Sequence, residues 1–416
     1  MVVTGREELR RRAFRFLASA EARRDPGDLY RLLLAAEGPL AVGDRCWLVA
    51  RYDDVAAALA DERLTVELDA VDPVLPVAQS GALAGVFSRM LSFRDGDGHA
   101  RLRRLAAPAF GPRAAAALRP EVESAVDELL EAGLSRGSLD LVADLARPLP
   151  VLASCAMLRV PPADRPLLLD WATRLTDQLM RFGQTPAELA EAEAVLAAVV
   201  DYVGALRREL GRRPRGGLLD QLLVPAADGR RLDEPDVIAF VVLLLLNGLE
   251  TATNALANAV WVLLRTPSAR AWLHAHPSGA AAAFEECLRL AGPVRLGARR
   301  VREAVTVRGC RPEPGDTFAL LFAAANRDAS RFPEPDAFRP GRPGRHLAFG
   351  HGPHVCLGAA IARQQGEVVI DRLFRRCDVE SPLTDADAPW KPSLPVLGLA
   401  SLPLDVRPAR SPRCAP

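Results

Sequence analysis

From about residue 114 to 290, apolar residues recur at three- and four-residue intervals, which reads as one helix after another. The steps Arg147-Pro148, Val160-Pro161-Pro162, Arg213-Pro214 and Thr266-Pro267 divide that stretch, because proline removes a backbone donor and disfavours helix at the residue before it. Alternation with a period of two is sparse. It is readable over 38–51, Gly-Pro-Leu-Ala-Val-Gly-Asp-Arg-Cys-Trp-Leu-Val-Ala-Arg, as a small β-hairpin, after which Asp53-Asp54 opens a short helix at Val55–Ala60. Residues 391–404 read as a final hairpin, and 62–92 carry no clear period, which makes them a long loop of the kind that usually serves function. The expected fold is mainly α with small β-sheets.

Two stretches break these patterns. Behind the capped acidic start Asp233-Glu234-Pro235-Asp236, the positions from Val237 to Leu246 are all apolar; ten residues are too few to span a bilayer, so this is a helix through the protein's centre. Asn247-Gly248-Leu249-Glu250-Thr251 then interrupts it with groups that cost free energy in a core unless satisfied. Either the helix emerges into solvent at Glu250 or the interruption is a polar notch. The second stretch is Phe349-Gly350-His351-Gly352-Pro353-His354-Val355-Cys356-Leu357-Gly358, a glycine-bounded loop around one cysteine. Loop N–H groups aimed at the sulfur, and the positive end of the helix whose periodicity begins after Gly358, favour a thiolate. On residues alone Cys356 is also readable as a buried small hydrophobe. His351, His354 and Cys356 are readable as zinc ligands, though no second Cys or His pair follows.

Composition narrows the classes. With 25% charged and 49% apolar residues the chain is an ordinary globular protein, and a net charge of +1 gives no argument for nucleic acid or membrane as a bulk partner. The seven cysteines are odd in number and scattered without framework spacing, which favours a reducing compartment. Met1 to Arg24 is Arg-rich but carries Glu7 and Glu8 and has no continuous apolar run, so it reads as neither signal peptide nor anchor. Lys391 is the only lysine. His99 and Arg103, four apart, share a helix face, and Glu286 and Arg289 lie at i, i+3 in an unusually apolar helix; taken alone, both are commonplace surface arrangements.

The run Phe-Gly-x-Gly-x-His-x-Cys-x-Gly at 349–358 resembles the haem-binding loop of cytochrome P-450 enzymes, and four further motifs fall in that family's order between about 28 and 405. The resemblance implies one catalytic domain over 1–416, with haem b buried between the long central helix and the cysteine loop. It implies Cys356 as the iron ligand, Phe349, His354 and Gly358 as haem contacts, and His99, Arg103 and Arg299 as partners of the haem propionates. Glu250 and Thr251 would relay protons to bound dioxygen, and Glu286, Arg289 and Arg342 would form a buried structural set. The pocket would be lined by 62–92, the region around Phe182, Asn247, Val294–Ala298 including Val294 and Leu296, and Val396–Leu399 including Val396 and Leu397. Asn247 departs from the family's usual Ala or Gly.

The implied activity is that of a soluble, bacterial, cytoplasmic monooxygenase acting on a small natural-product intermediate. Its electrons would come from NAD(P)H through a ferredoxin and ferredoxin reductase, since no Gly-x-Gly-x-x-Gly run is present. Arg103, Arg104 and Arg363 would meet that partner. A peroxide-driven or radical-coupling enzyme on the same fold, and a haem-binding sensor or carrier without turnover, stay open beside it.

Overall fold

The computed structural model describes residues 2–67, 81–179, 185–213, 215–223 and 232–409. The architecture is mainly helical, arranged around the helix Glu234–Arg265. Its start is capped by the Asp233 carboxylate, which accepts from the Asp236 N–H at 2.8 Å, and Glu234 and Asp236 in the first turn suit its positive end. It stops at Thr266, ahead of Pro267. At 32 residues it is about 48 Å long, so it crosses the whole molecule. Around it pack Pro148–Leu158, Arg165–Leu179, Pro186–Arg212, Ala280–Ala291 and Ala359–Arg376, which share one large apolar core with it. Two segments, Leu141–Leu158 and Glu234–Arg265, are long and apolar enough to cross a bilayer, and both are mostly buried against the rest of the chain.

Two small sheets flank the helices. One has five strands in the order Leu40–Ala41, Cys46–Val49, Thr317–Leu320, Gly297–Val301, Leu64–Thr65, and the other has three, Ser138–Asp140, Pro403–Pro408, Cys377–Glu380. The hairpin expected at 38–51 is present as Leu40–Ala41 against Cys46–Val49. Its second strand continues the sheet by pairing in parallel with Thr317–Leu320.

Several expectations need correction. The helix expected at Val55–Ala60 begins at Tyr52, so that Asp53 and Asp54 lie in its first turn. Within the supposed loop 62–92, Leu64–Thr65 is an edge strand, Gly81–Phe87 a helix and Leu91–Phe93 a single 3-10 turn; 68–80 and Phe182 lie outside the described residues. The helical run from 114 contains the strand Ser138–Asp140 and a π-helical turn at Leu141–Ala146. In the final hairpin, Trp390 bridges Leu399, and the regular strand comes later, at Pro403–Pro408. Packed structure also begins before residue 28: the helix Val2–Ala18 buries Ala13 and Phe16 against Tyr30 and Leu33.

Candidate functional site

The cysteine loop is held from three sides. Cys356 N–H donates to the Phe349 carbonyl at 2.8 Å and Gly350 N–H to that of Leu347 at 2.9 Å, which folds the loop back on itself. Gly352 has φ +69°, and a Cβ there would come within 2.6 Å of the Leu59 carbonyl, so only glycine fits. The Arg363 guanidinium lies 4.4 Å from the centre of the Phe349 ring. Cys356 is exposed although protein surrounds it closely enough for burial to push its thiol pKa up; the two facts agree if the sulfur faces an internal cleft. The Gly358 N–H and the charges of Arg103 and Arg363 oppose that rise. Desolvation outweighs the loop N–H expected from the sequence to favour a thiolate, which is that of Gly358. A metal ion held by Cys356 would favour the thiolate, because a coordinating thiol is deprotonated.

Beside the cysteine stands a cluster of donors, His99 buried and Arg103 and Arg299 half-buried. His99 and Arg103 come from the helix Gly96–Ala106, one turn apart, and Arg299 from the strand Gly297–Val301. His99 is 4% exposed, and its Nε2 has no hydrogen-bond partner. Burial, with the nearby His354 and Arg103, lowers its pKa to about 4. Its ring stacks at 4.1 Å on that of His354, whose Nε2 lies 2.8 Å from Asp95 Oδ1. Burial pushes the Asp95 carboxyl up, but hydrogen bonds from His354, Thr65 and the Val66 N–H overcome it and leave the group below the usual carboxylate range. Burial also lowers the pKa of Arg103 and Arg299. Arg299 donates only to the carbonyl of its neighbour Ala298, at 2.8 Å, and no described carboxylate pairs with either arginine. Half-buried cations in this state call for anions.

The central helix presents an open face. Between Asp236 and Trp261 the accessible positions are Leu243, Leu244, Asn247, Gly248, Glu250, Thr251 and Ala252; apart from Glu250 at its edge, their spacing puts them on one stripe. The helix is buried on both sides of this interruption, at Leu245 and Leu246 and again from Thr253 to Trp261, so it does not end at Glu250. The Thr251 hydroxyl donates to the Asn247 carbonyl at 2.5 Å, whereas the exposed Asn247 amide has no partner among the described residues.

Glu250 points to a different side of the helix from Thr251. One residue on a helix turns about 100°. Its Oε1 accepts from Lys391 Nζ at 2.9 Å and from Asn254 Nδ2 at 2.9 Å, on the side of the helix covered by the 390–399 hairpin. On the same hairpin Val396 bridges Val294, and Leu397 N–H donates to the Pro293 carbonyl at 2.6 Å, which brings Val294, Val396 and Leu397 together. Leu296 instead packs on the core of the N-terminal helices with Leu394. Of the arginines assigned to partner docking, Arg104 is exposed, Arg363 is paired with Glu285 at 2.6 Å, and Arg103 is turned inward. Lys391 and Asn254 were missed by sequence reasoning. The asparagines at 254 and 258, two amides four apart within an apolar helical run, were the available signal.

The haem implied by the resemblance fits this arrangement. A buried histidine nitrogen and two half-buried arginines without anions among the described residues suit two carboxylates, an accessible sulfur suits an iron, and a Cβ at Gly358 would meet nothing within 4 Å, which leaves room for a flat partner against that backbone.

Comparison with known proteins agrees. The family model described as Cytochrome P-450 matches residues 280–406. The chain is 35% identical over 367 residues to Cytochrome P-450 107B1 of Saccharopolyspora erythraea, covering 86% of this chain and 88% of that one. It is 34% identical to Cytochrome P-450 monooxygenase PikC of Streptomyces venezuelae, covering 93% and 92%. Among solved structures, that of CalO2 superposes with a TM-score of 0.86 at 31% identity, over 93% of this chain and 97% of that one.

Proposed function

The chain belongs to the cytochrome P-450 family, whose members are haem-thiolate oxidoreductases, and from that premise we propose that it inserts one atom of O2 into a small organic intermediate of natural-product biosynthesis. The observation that carries the reading is the trio of buried His99 and half-buried Arg103 and Arg299, without carboxylate partners among the described residues, beside an accessible Cys356. When bound, the haem supplies dioxygen activation and oxygen transfer. The chain's residues do the rest. His99, Arg103 and Arg299 hold the propionates, Phe349, His354 and Gly358 frame the sulfur side, and Glu286, Arg289 and Arg342 brace the approach to the loop. Val294, Val396 and Leu397 form the apolar wall that the substrate meets. Electrons come from a ferredoxin and its ferredoxin reductase, with Arg104 on the docking surface. The chain acts as one catalytic domain in the cytoplasm, without nucleic acid or membrane as partner.

Proton delivery falls to the notch. Thr251 Oγ1 already donates to a backbone carbonyl, which leaves its lone pairs free to hold a water, and Glu250 is the acid from which that water is resupplied. Thr251→Ala is expected to keep haem content and reductant consumption while diverting turnover from product to hydrogen peroxide. Product formed per reductant consumed is the measurement; unchanged coupling would move the relay to another group.

Asn247 offers two donors and an acceptor on the open stripe. We assign it to a polar group of the substrate, since an amide left unpaired in a dry pocket costs about 1–3 kcal/mol. Asn247→Ala should weaken substrate binding by about 1 kcal/mol, roughly fivefold, and change the position oxidised. Titration by the ferric spectral shift, with analysis of product regiochemistry, checks this; equal affinity and identical products would leave Asn247 a bystander.

A further inference from the structure

One face of the central helix carries Glu250, Asn254 and Asn258, each four residues from the next, and the 390–399 hairpin lies along that face. Asn258 Nδ2 donates to the Leu397 carbonyl at 3.0 Å and to that of Ala291 at 2.9 Å. Asn254, fully buried, meets the hairpin so closely that a Cβ on Gly398 would fall 2.2 Å from its Oδ1. Lys391 N–H donates to the Gly398 carbonyl at 2.9 Å and closes the hairpin. This fixes the start of the Lys391 side chain, whose Nζ reaches Glu250 Oε1 at 2.9 Å and Asn254 Oδ1 at 3.1 Å. The ammonium and the carboxylate are 20% and 12% exposed as side chains, so the pair is shielded more than a surface ion pair. Both interactions converge on Oε1. The other oxygen, Oε2, takes no hydrogen bond from any described residue and is free to exchange a proton with water.

We propose that Lys391, the chain's only lysine, is the positioning residue for Glu250: it anchors one carboxylate oxygen to the hairpin bearing Val396 and Leu397 and leaves the other for proton delivery toward Thr251. Asn254 completes the anchor by accepting from the ammonium and donating to the carboxylate. The wall that meets the substrate and the acid that serves the reaction are thereby joined through one side chain. Arginine, used everywhere else in this chain for positive charge, presents a broad planar fork, whereas the compact ammonium reaches a carboxylate and an amide oxygen at one point.

The test has a structural and a kinetic arm, both on the holoenzyme. With nitrogen-15 lysine, the reduced carbon-monoxide form should give a single side-chain ammonium signal, and Glu250→Gln should shift it and speed its exchange with water. A signal indifferent to Glu250→Gln overturns the proposal. In turnover, Lys391→Met should lower product formed per reductant by at least about fivefold, a fraction of what a positioned acid contributes. Haem content and substrate affinity from the spectral shift should stay within about twofold, since the hairpin wall keeps its own bonds, Lys391 N–H to Gly398, Leu397 N–H to Pro293 and Asn258 to Leu397, none of which needs the ammonium. Lys391→Arg should recover part of the coupling by restoring the charge. Lys391→Met combined with Glu250→Gln should be no worse than Glu250→Gln alone, because the lysine acts through the acid; additive losses overturn the idea. The proposal rests on the monooxygenase reading: a haem-loaded wild type that oxidises nothing overturns both, whereas a well-coupled wild type matched by Lys391→Met overturns this one alone.

Discussion

Cys356→Ala is expected to abolish substrate oxidation, with a fall of at least about 100-fold, the upper end of what even an outer-shell metal partner is worth. The reduced wild type under carbon monoxide should show the strongly red-shifted Soret band of thiolate-ligated haem, and the variant should lose that band. The loop around the sulfur is held by the Cys356 N–H to Phe349 carbonyl bond and by Gly350 and Gly352, none of which needs the side chain, so the variant should fold. His99, Arg103 and Arg299, which we assign to the haem propionates, also remain, so some haem should stay bound without its thiolate. Folding is checked by far-ultraviolet circular dichroism and haem retention by pyridine haemochrome content. A wild-type spectrum like that of a histidine-ligated globin would reject Cys356 as the ligand, with His351 the next residue to examine because it is exposed on the same loop.

How far the chain could be read in advance depended on whether the cause was local. The cysteine loop was legible because its glycines answer to backbone constraints within ten residues, and the central helix because its cap, apolar run and terminal proline lie in one continuous stretch. The short helix Gly81–Phe87 was not: seven residues make less than two turns, too little for a period to emerge from Gly-Ala-Leu-Ala-Gly-Val-Phe. The strands Leu64–Thr65 and Ser138–Asp140 are equally brief and exist through pairing with distant partners. At the site, His99 and Arg103 could be put on one face from spacing alone, but that the first is buried and the second half-buried with no described anion paired to them became visible only in the fold. The partner of Glu250 could not be read in advance, because nothing local announces Lys391, which lies 141 positions further along. An ion pair across that separation has no signature in sequence beyond the oddity of a single lysine among arginines.

The second large effect concerns stability. Glu286 is 4% exposed and Arg289 2%, and they form a two-pronged pair, Arg289 Nε to Glu286 Oε2 at 2.8 Å and Nη2 to Oε1 at 2.7 Å. Arg342 adds a bond to Oε1 at 3.0 Å, and the Arg339 N–H another at 2.9 Å. Glu286→Ala would strand the Arg289 charge with only the carbonyls of Asn326, Pro335 and Ala337, and breaking a buried pair from one side costs about 3–5 kcal/mol. Arg342→Ala should cost less, about 1–3 kcal/mol, because its side chain is more accessible and the Glu286–Arg289 pair survives it. The damage should reach the cysteine loop. Asn326 accepts from the Leu347 N–H at 2.6 Å through its side chain while its own carbonyl holds Arg289, so the segment leading into Phe349 hangs on this network. Urea unfolding midpoints should therefore fall in the order wild type, Arg342→Ala, Glu286→Ala, and haem content after purification should fall in the same order. A Glu286→Ala protein within about 1 kcal/mol of wild type would mean that Arg289 finds solvent or another anion, and the network would then be an ornament of the fold and not a support of its cysteine loop.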